Sequence, residues 1–416
     1  MNLSVLSLTA LLIAVVISCV SRINVGFLCI AFALGIGVFL GGMKVQEVIA
    51  GFPIGLFLTL VGVTLLFSLA RVNGTLDKLA RLSIKPARGN PGLIPILFFF
   101  LALVMSTIGI GNIATTALLA PVALAIGERA GITAFLMAIM IANGANAGAF
   151  SPFAPTGIIA NGLMAKIGLT GVEWRNYFNA LAAQSFVAFA GYFTLGGLKL
   201  FTRAAPANAA LKEKIEPFTG KQKFTLGVIA ALVGSVVLLK VDVTVGAFVG
   251  AVVLSLFSAA DEEAAVKAIP WGAIMMVCGV TVLIALMEKT GGMELFTSLL
   301  ARFSTKASIT ATLAFVTGVI SVYSSSSGVV LPAFLPTIPG LIARLGGGDA
   351  LALASSVNVG AHLVDVSPLS TLGALCLANA PLSEDRRALF IKLLIWGLSM
   401  SVVGAVVCFV FFGLLL

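Results

Sequence analysis

Apolar runs of about 18 to 22 residues, separated by short polar or basic loops, recur along the whole 416-residue chain. A helix of that length crosses about 30 Å of hydrocarbon, so the pattern predicts an all-α polytopic membrane protein. Full spans are expected near 3–20, 24–41, 53–71, 131–165 and 177–202. A second set of five is expected near 223–240, 243–260, 270–288, 349–378 and 388–415. Two further apolar stretches, 91–128 and 307–345, are too long for one helix and are broken centrally by small and polar residues. Each is predicted to be a re-entrant hairpin, because irregular backbone is tolerated in a membrane only where protein or an aqueous cavity satisfies its polar groups.

Composition strengthens the membrane assignment: 60% of the residues are hydrophobic, 10% are charged, and the mean hydropathy is +1.14. The first run, NLSVLSLTALLIAVVISCV, lacks a basic leading region and an A-x-A site, so it reads as the first membrane helix rather than a secretory signal. The five cysteines (Cys19, Cys29, Cys278, Cys376, Cys408) lie in apolar runs without paired spacing, which suggests neither a disulfide framework nor a metal cluster. A net charge of +9 would point to nucleic acid in a soluble chain. Here the basic residues fall in loops between spans, where membrane topology accounts for them and a nucleic-acid partner is not expected.

Ten crossings and two hairpins leave both termini on one side. That side holds Lys44, Lys166, Arg175, Lys240, Lys289, Arg302, Lys306 and Arg344, while the other 17 of the 25 Lys and Arg lie opposite. By the positive-inside rule the richer side is cytoplasmic, so the termini are expected to be periplasmic or extracellular and the protein to sit in the cell's inner membrane.

Short matches recur in the same order at an offset of about 211 to 220 residues. Ile23-Asn24-Val25-Gly26 pairs with Val243-Thr244-Val245-Gly246, and Arg71-Val72-Asn73-Gly74 with Glu288-Lys289-Thr290-Gly291. Each member of the second pair precedes an amphipathic stretch, TLDKLARL or MELFTSLLARF. Thr115 to Pro121 pairs with Ser326 to Pro332, Asn146-Ala147-Gly148-Ala149 with Asn358-Val359-Gly360-Ala361, and SPFAPTG at 151–157 with SPLSTLG at 367–373. A duplication of five crossings inserts its second copy upside down, the inverted-repeat plan of secondary transporters with a site near the midplane. The expected organisation is a first repeat over 1–203 with a cytoplasmic-side hairpin, a cytoplasmic linker over 204–222, and a second repeat over 223–416 with an outward-side hairpin.

Four segments combine polar groups with a reason for the backbone to unwind: the hairpin tips GIGNIATTALLAP and VYSSSSGVVLP, and the broken spans NGANAGAFSPFAPTGIIANG and NVGAHLVDVSPLSTLG. An apolar helix follows each tip, so its N-terminal amides and dipole favour a carboxylate there. The Gly and Pro breaks free carbonyls for a small hard cation. The alternative is that these small residues only pack helices tightly, with hydroxyls bonded back to their own helix. The candidate substrate contacts are Asn112, Thr115, Thr116, Ser151, Tyr323, Ser324, Ser326 and Ser367, with Ser325 and Ser327 assigned to packing. The candidate cation or coupling residues are Gly111, Asn112, Asn146, Gly148, Ser324, Asn358, Gly360, His362 and Asp365. Ionisable groups at membrane depth are costly, and the pair His362 and Asp365 is read either as a cation or proton station or as a local hydrogen-bonded pair.

These segments resemble the malonate-type dicarboxylate carriers of the ion transporter superfamily, relatives of the divalent anion:sodium symporters. Symporter hairpins carry a run similar to S-N-T-A-T-A-A-x-x-x-P. Gly111-Asn112-Ile113-Ala114-Thr115-Thr116-Ala117 before Pro121 keeps its Asn and later Thr, while Val322-Tyr323-Ser324 takes the motif position in the second hairpin and Ser326 the later Thr. Gly157 and Asn161 match the ends of a Gly-Thr-Pro-Pro-Asn run. The resemblance implies elevator-like motion, a small dicarboxylate substrate such as malonate or succinate, Na+ at the Asn112 and Ser324 tips, and a homodimer.

The function expected is therefore secondary transport of a small dicarboxylate coupled to Na+ or H+, with no cofactor and no enzymatic reaction. Two alternatives remain open. One is a cation or metalloid antiporter or exporter of the same superfamily; the other is the membrane subunit of a binding-protein-dependent uptake system.

Overall fold

The computed structural model describes residues 2–21, 23–82, 90–202 and 216–414. Its first half begins with α1 (Leu3–Val20) and α2 (Val25–Leu34), the latter continuing as a π-helical turn to Leu40. Asn2 and Asn24 cap the two helices, each side chain accepting an N–H two residues on, at 3.1 and 3.0 Å. Next come a short α3 (Val45–Ile49), the span α4 (Ile54–Val72) and an amphipathic α5 (Thr75–Leu82). The first hairpin rises as α6 (Leu93–Met105), loosens into a π turn over Ser106–Ile110, and returns as α7 (Asn112–Arg129). Gly109 and Gly111 take φ of 121° and 82° at that tip, values a side chain would strain. The next span is split into α8 (Ala134–Ala149) and α9 (Pro155–Lys166), after which α10 (Glu173–Tyr192) runs through a kink at Gly196 into α11 (Leu198–Leu200).

The same order of pieces recurs in the second half. The spans α12 (Gly220–Leu239) and α13 (Val243–Leu256) are followed by a short α14 (Glu262–Lys267), the span α15 (Trp271–Thr290) and an amphipathic α16 (Gly292–Arg302). The second hairpin consists of α17 (Ile309–Tyr323), a loosened turn over Ser326–Val330, α18 (Leu331–Phe334) and α19 (Ile338–Leu345). A broken span again follows, α20 (Ala350–Leu363) and α21 (Thr371–Ala378), and then α22 (Arg386–Cys408), which continues as a π-helical segment over Phe409–Leu414.

Every apolar stretch expected to be helical is helical, with ends displaced by a few residues. No strand occurs among the described residues. Eight helices there are long and apolar enough to cross a membrane, and shorter apolar helices accompany them. Large apolar side chains such as Val16, Phe39, Leu238 and Leu256 are exposed, as lipid-facing positions require. The short α3 and α14 carry too few residues to show a helical period in the sequence. Residues 204–215 of the expected linker lie outside the described residues.

The helices pack as two groups. One joins α1, α2, α4, α12, α13, α15 and α16; the other joins α6, α7, α8, α10, α17, α20, α21 and α22. Close approach within the second group depends on glycine at matching places. A methyl on Gly148 would strike the backbone of α6 at Leu103, and one on Gly360 the backbone of α17 at Ala314. A methyl on Gly157 would meet the carbonyl of Ser151, and one on Gly373 the carbonyl of Ser367. Each broken span is thus pinned by the same device, a glycine in the second piece seated on the serine that ends the first.

Candidate functional site

The tips of the two hairpins converge on the breaks in the two spans, and the contacts form one hydrogen-bonded ring. Asp365 lies in the 3₁₀ turn Val364–Val366 between α20 and α21 and is 4% exposed. One carboxylate oxygen accepts from Ser326 Oγ at 2.7 Å and from Ser370 Oγ at 3.0 Å. Ser326 spends its proton on Asp365, so Ser321, 2.5 Å away, donates to Ser326. The other carboxylate oxygen receives Asn146 Nδ2 at 3.4 Å.

Asn146 holds the two halves together. Its Nδ2 donates to the His362 carbonyl at 2.8 Å, and its Oδ1 accepts from Asn112 Nδ2 at 2.7 Å. Asn112 Oδ1 in turn takes the Ile113 N–H at 3.0 Å, an unpaired donor at the start of α7. His362 Nδ1 lies 2.9 Å from the Asn358 carbonyl; a carbonyl only accepts, so the ring proton sits on Nδ1. Phe150 meets the same ring edge-on at 4.8 Å between centroids. Asn358 Nδ2 continues the polar chain to Asn176 Oδ1 at 2.8 Å, and Asn176 Nδ2 reaches Asn161 Oδ1 at 3.3 Å.

Two cavities flank the tips. The first, of about 280 Å³, is lined by Tyr323, Ser324, Ser325, Ser326, Ser327, His362, Asp365, Ser370 and Asn112, together with Ser21, Ile23 and Val25 from the α1–α2 connection. Among the described residues, no Lys or Arg lines it. The second, of about 240 Å³, lies between α4, α9 and α15 and is largely apolar. Asn112, Ile113, Ser325 and Ser327 belong to both walls, so the tips form the partition.

Of the residues singled out in the sequence, Asn112, Tyr323, Ser324, Ser326, His362 and Asp365 face the first cavity, and Gly111 faces the second. Asn146 and Asn358 stand behind this wall and orient it. Gly148 and Gly360 serve the close packing described above. Ser151 and Ser367 are fully buried and line neither cavity. Ser151 donates to the Thr107 carbonyl at 2.6 Å and caps the Phe153 N–H at 3.2 Å, while Ser367 caps the Leu369 N–H at 3.3 Å. Thr115 and Thr116 are buried in α7, and neither hydroxyl has a hydrogen-bond partner among the described residues. Ser325 and Ser327, assigned to packing from the sequence, line both cavities. Ser370 and Ser321 complete the ring around Asp365 without having been singled out; Ser370 lies inside the repeated SPLSTLG segment, which was the available signal. Asn176 had no such signal.

Residues 1–149 match the family model described as "Dicarboxylate carrier protein MatC N-terminus", the kinship that the hairpin residues imply. Two curated relatives from Mycobacterium tuberculosis, strains CDC 1551 / Oshkosh and ATCC 25618 / H37Rv, are each described as an uncharacterized transporter. Each is 24% identical over 378 residues, covering 86% of this chain and 86% of the relative. Among solved structures, the Alcanivorax borkumensis YdaH transporter superposes with a TM-score of 0.61 at 16% identity, over 90% of this chain and 88% of that one. Neisseria gonorrhoeae MtrF, described as illuminating a class of antimetabolite efflux pumps, gives 0.58 at 14% identity, over 98% and 94%. The structural likeness is one of fold. The chain is a multi-pass membrane transporter.

Proposed function

We propose, for a transporter whose first 149 residues match a dicarboxylate carrier family, that the chain is a secondary carrier of small dicarboxylates coupled to Na+ or H+. The observation that carries this reading is the buried Asp365 at the wall of the first cavity, ringed by donors from the second hairpin and both broken spans. A dianion entering a cavity that has a carboxylate and, among the described residues, no Lys or Arg meets repulsion unless a cation or proton enters with it. Substrate binding and cation binding then become one event, which is coupling in thermodynamic terms. Asp365 is the station for the coupling ion. Ser324, Ser325, Ser327 and Tyr323 are the groups that meet the substrate carboxylates.

The division into two packed groups supports an elevator, with the hairpins and broken spans sliding past α4, α13 and α15. The recurrence of elements supports inverted repeats and re-entrant hairpins. Both cavities reach segments that the charge count assigns to the cytoplasm: Ser21 and Ile23 for the first, Arg71 and Pro270 for the second. The state described is therefore inward-facing, in an inner membrane with both termini outside.

A second reading has one observation in its favour. Asp365 lies in the cavity wall itself, where a transported cation rather than an anion would be welcome, as in an antiporter or exporter. Thermal unfolding of the purified protein with malonate or succinate, with and without Na+ and at two pH values, separates the two. The carrier reading expects a dicarboxylate to raise Tm most when the coupling cation is also present, since ligand bound to the folded state adds stability. Stabilisation by cations alone, with every dicarboxylate inert, favours the exchanger instead.

A further inference from the structure

The second cavity has a different chemistry from the first. Leu60 and Phe67 of α4, Ile110 and Ile113 of the hairpin tip, Ile159 of α9 and Ile274 of α15 give it aliphatic and aromatic walls. Among the described residues, Arg71, in the last turn of α4, is the only charged one in the lining. Its side chain is exposed and makes no hydrogen bond or ion pair with another described residue. Thr64, also in the wall, has already given its proton to the Leu60 carbonyl at 2.7 Å. The guanidinium is thus a free anion donor set over an apolar cleft.

We propose that this cavity is a second anion site, one that takes a small amphipathic monocarboxylate. A guanidinium pairs bidentately with one carboxylate and leaves the rest of the ligand to the apolar walls. Beyond Arg71 the described lining offers a second carboxylate only neutral polar groups at its edges, such as Ser68, Thr156, Ser325 and Ser327, and no second cation, which disfavours the dicarboxylates assigned to the first cavity. A cationic ligand would be repelled by Arg71. The volume of about 240 Å³ holds about eight water-sized groups at roughly 30 Å³ each, the size of hexanoate or benzoate. Because the partition between the cavities is made of Asn112, Ile113, Ser325 and Ser327, such a ligand lies against the back of both hairpin tips.

The test measures hexanoate binding calorimetrically to the full chain in nanodiscs of zwitterionic phosphatidylcholine, alongside acetate and hexylammonium. Hexanoate is expected to bind, acetate and hexylammonium at least tenfold more weakly. Arg71→Gln should weaken hexanoate at least tenfold, with Arg71→Lys in between. Ile159→Trp, which fills the apolar end and leaves Arg71 intact, should weaken it comparably. Ser326→Ala, in the first cavity, should change hexanoate binding less than twofold, so the site stands or falls separately from dicarboxylate transport. Equal hexanoate affinity in wild type and Arg71→Gln, or equal binding of hexylammonium, overturns the proposal. So does the absence of hexanoate binding in these discs when, in a parallel thermal-unfolding series, anionic phosphatidylglycerol added to the disc stabilises the wild type but not Arg71→Gln, which would make the cleft a lipid site.

Discussion

Asn146 donates its side-chain amide to the backbone carbonyl of His362 across 2.8 Å, joining broken spans that are 216 positions apart in the chain. The same side chain accepts from Asn112 and approaches Asp365, so one amide orders a hairpin tip, a helix end and the buried carboxylate. Asn146→Ala strands the Asn112 amide and takes a donor from the His362 carbonyl and from Asp365. Each buried group left unpaired costs about 1–3 kcal/mol. The variant should unfold at a clearly lower temperature and lose dicarboxylate binding; unchanged thermal unfolding would show that the ring is not a structural clasp.

Tyr323 is 47% exposed on the wall of the first cavity, and its substitution should therefore act on ligand rather than on fold. Tyr323→Phe removes one hydroxyl. A single neutral hydrogen bond contributes about 0.5–1.5 kcal/mol. Dicarboxylate affinity should fall by roughly 2- to 12-fold, with stability altered by no more than about 0.5 kcal/mol. Titration of the purified variant measures both, and an affinity equal to wild type removes Tyr323 from the substrate contacts.

Two glycines in helices separate close packing from ordinary propensity. A methyl at Gly360 runs into Ala314 on α17, whereas one at Gly227 on α12 meets nothing within 4 Å. Gly360→Ala should destabilise by about 1–3 kcal/mol through overpacking. Gly227→Ala should be neutral or stabilise by up to about 1 kcal/mol. Thermal unfolding in detergent compares them, and equal effects would contradict the tight α17–α20 seam.

The orientation drawn from the basic residues is tested with single cysteines at two exposed positions, Ala307→Cys before α17 and Glu262→Cys on α14. An impermeant maleimide applied to intact cells should label position 307 and spare 262. The reverse pattern would invert the topology and make the cavities outward-facing.

Much of this arrangement is visible in the sequence because bilayer thickness fixes helix length, and Gly, Pro and Ser clusters fix where helices break. The tips at Gly111 and Ser324, the break after Ala149 and the break before Ser367 all follow from local composition. Asn112, Ser326 and Asp365 stand out as polar residues in apolar surroundings. Their partners are harder to see. Ser370 and Asn176 reach the site only through packing between segments far apart in sequence, and no local period encodes such contacts. The roles of Ser151 and Ser367 show the same limit from the other side: a serine beside a break is equally suited to a ligand and to capping the chain's own N–H groups. Ser325 and Ser327 are in both cavity walls because the tip is turned edge-on between two chambers, an orientation set by tertiary packing.

The most direct measurement is uptake of labelled malonate and succinate into proteoliposomes containing the wild-type chain or Asp365→Asn, with Na+ and H+ gradients imposed separately. The account predicts wild-type uptake that is accelerated by one of the two gradients, and an Asp365→Asn variant that no longer responds to it. Uptake indifferent to both gradients in the wild type, or a full gradient response in Asp365→Asn, would contradict the assignment of Asp365 as the coupling station.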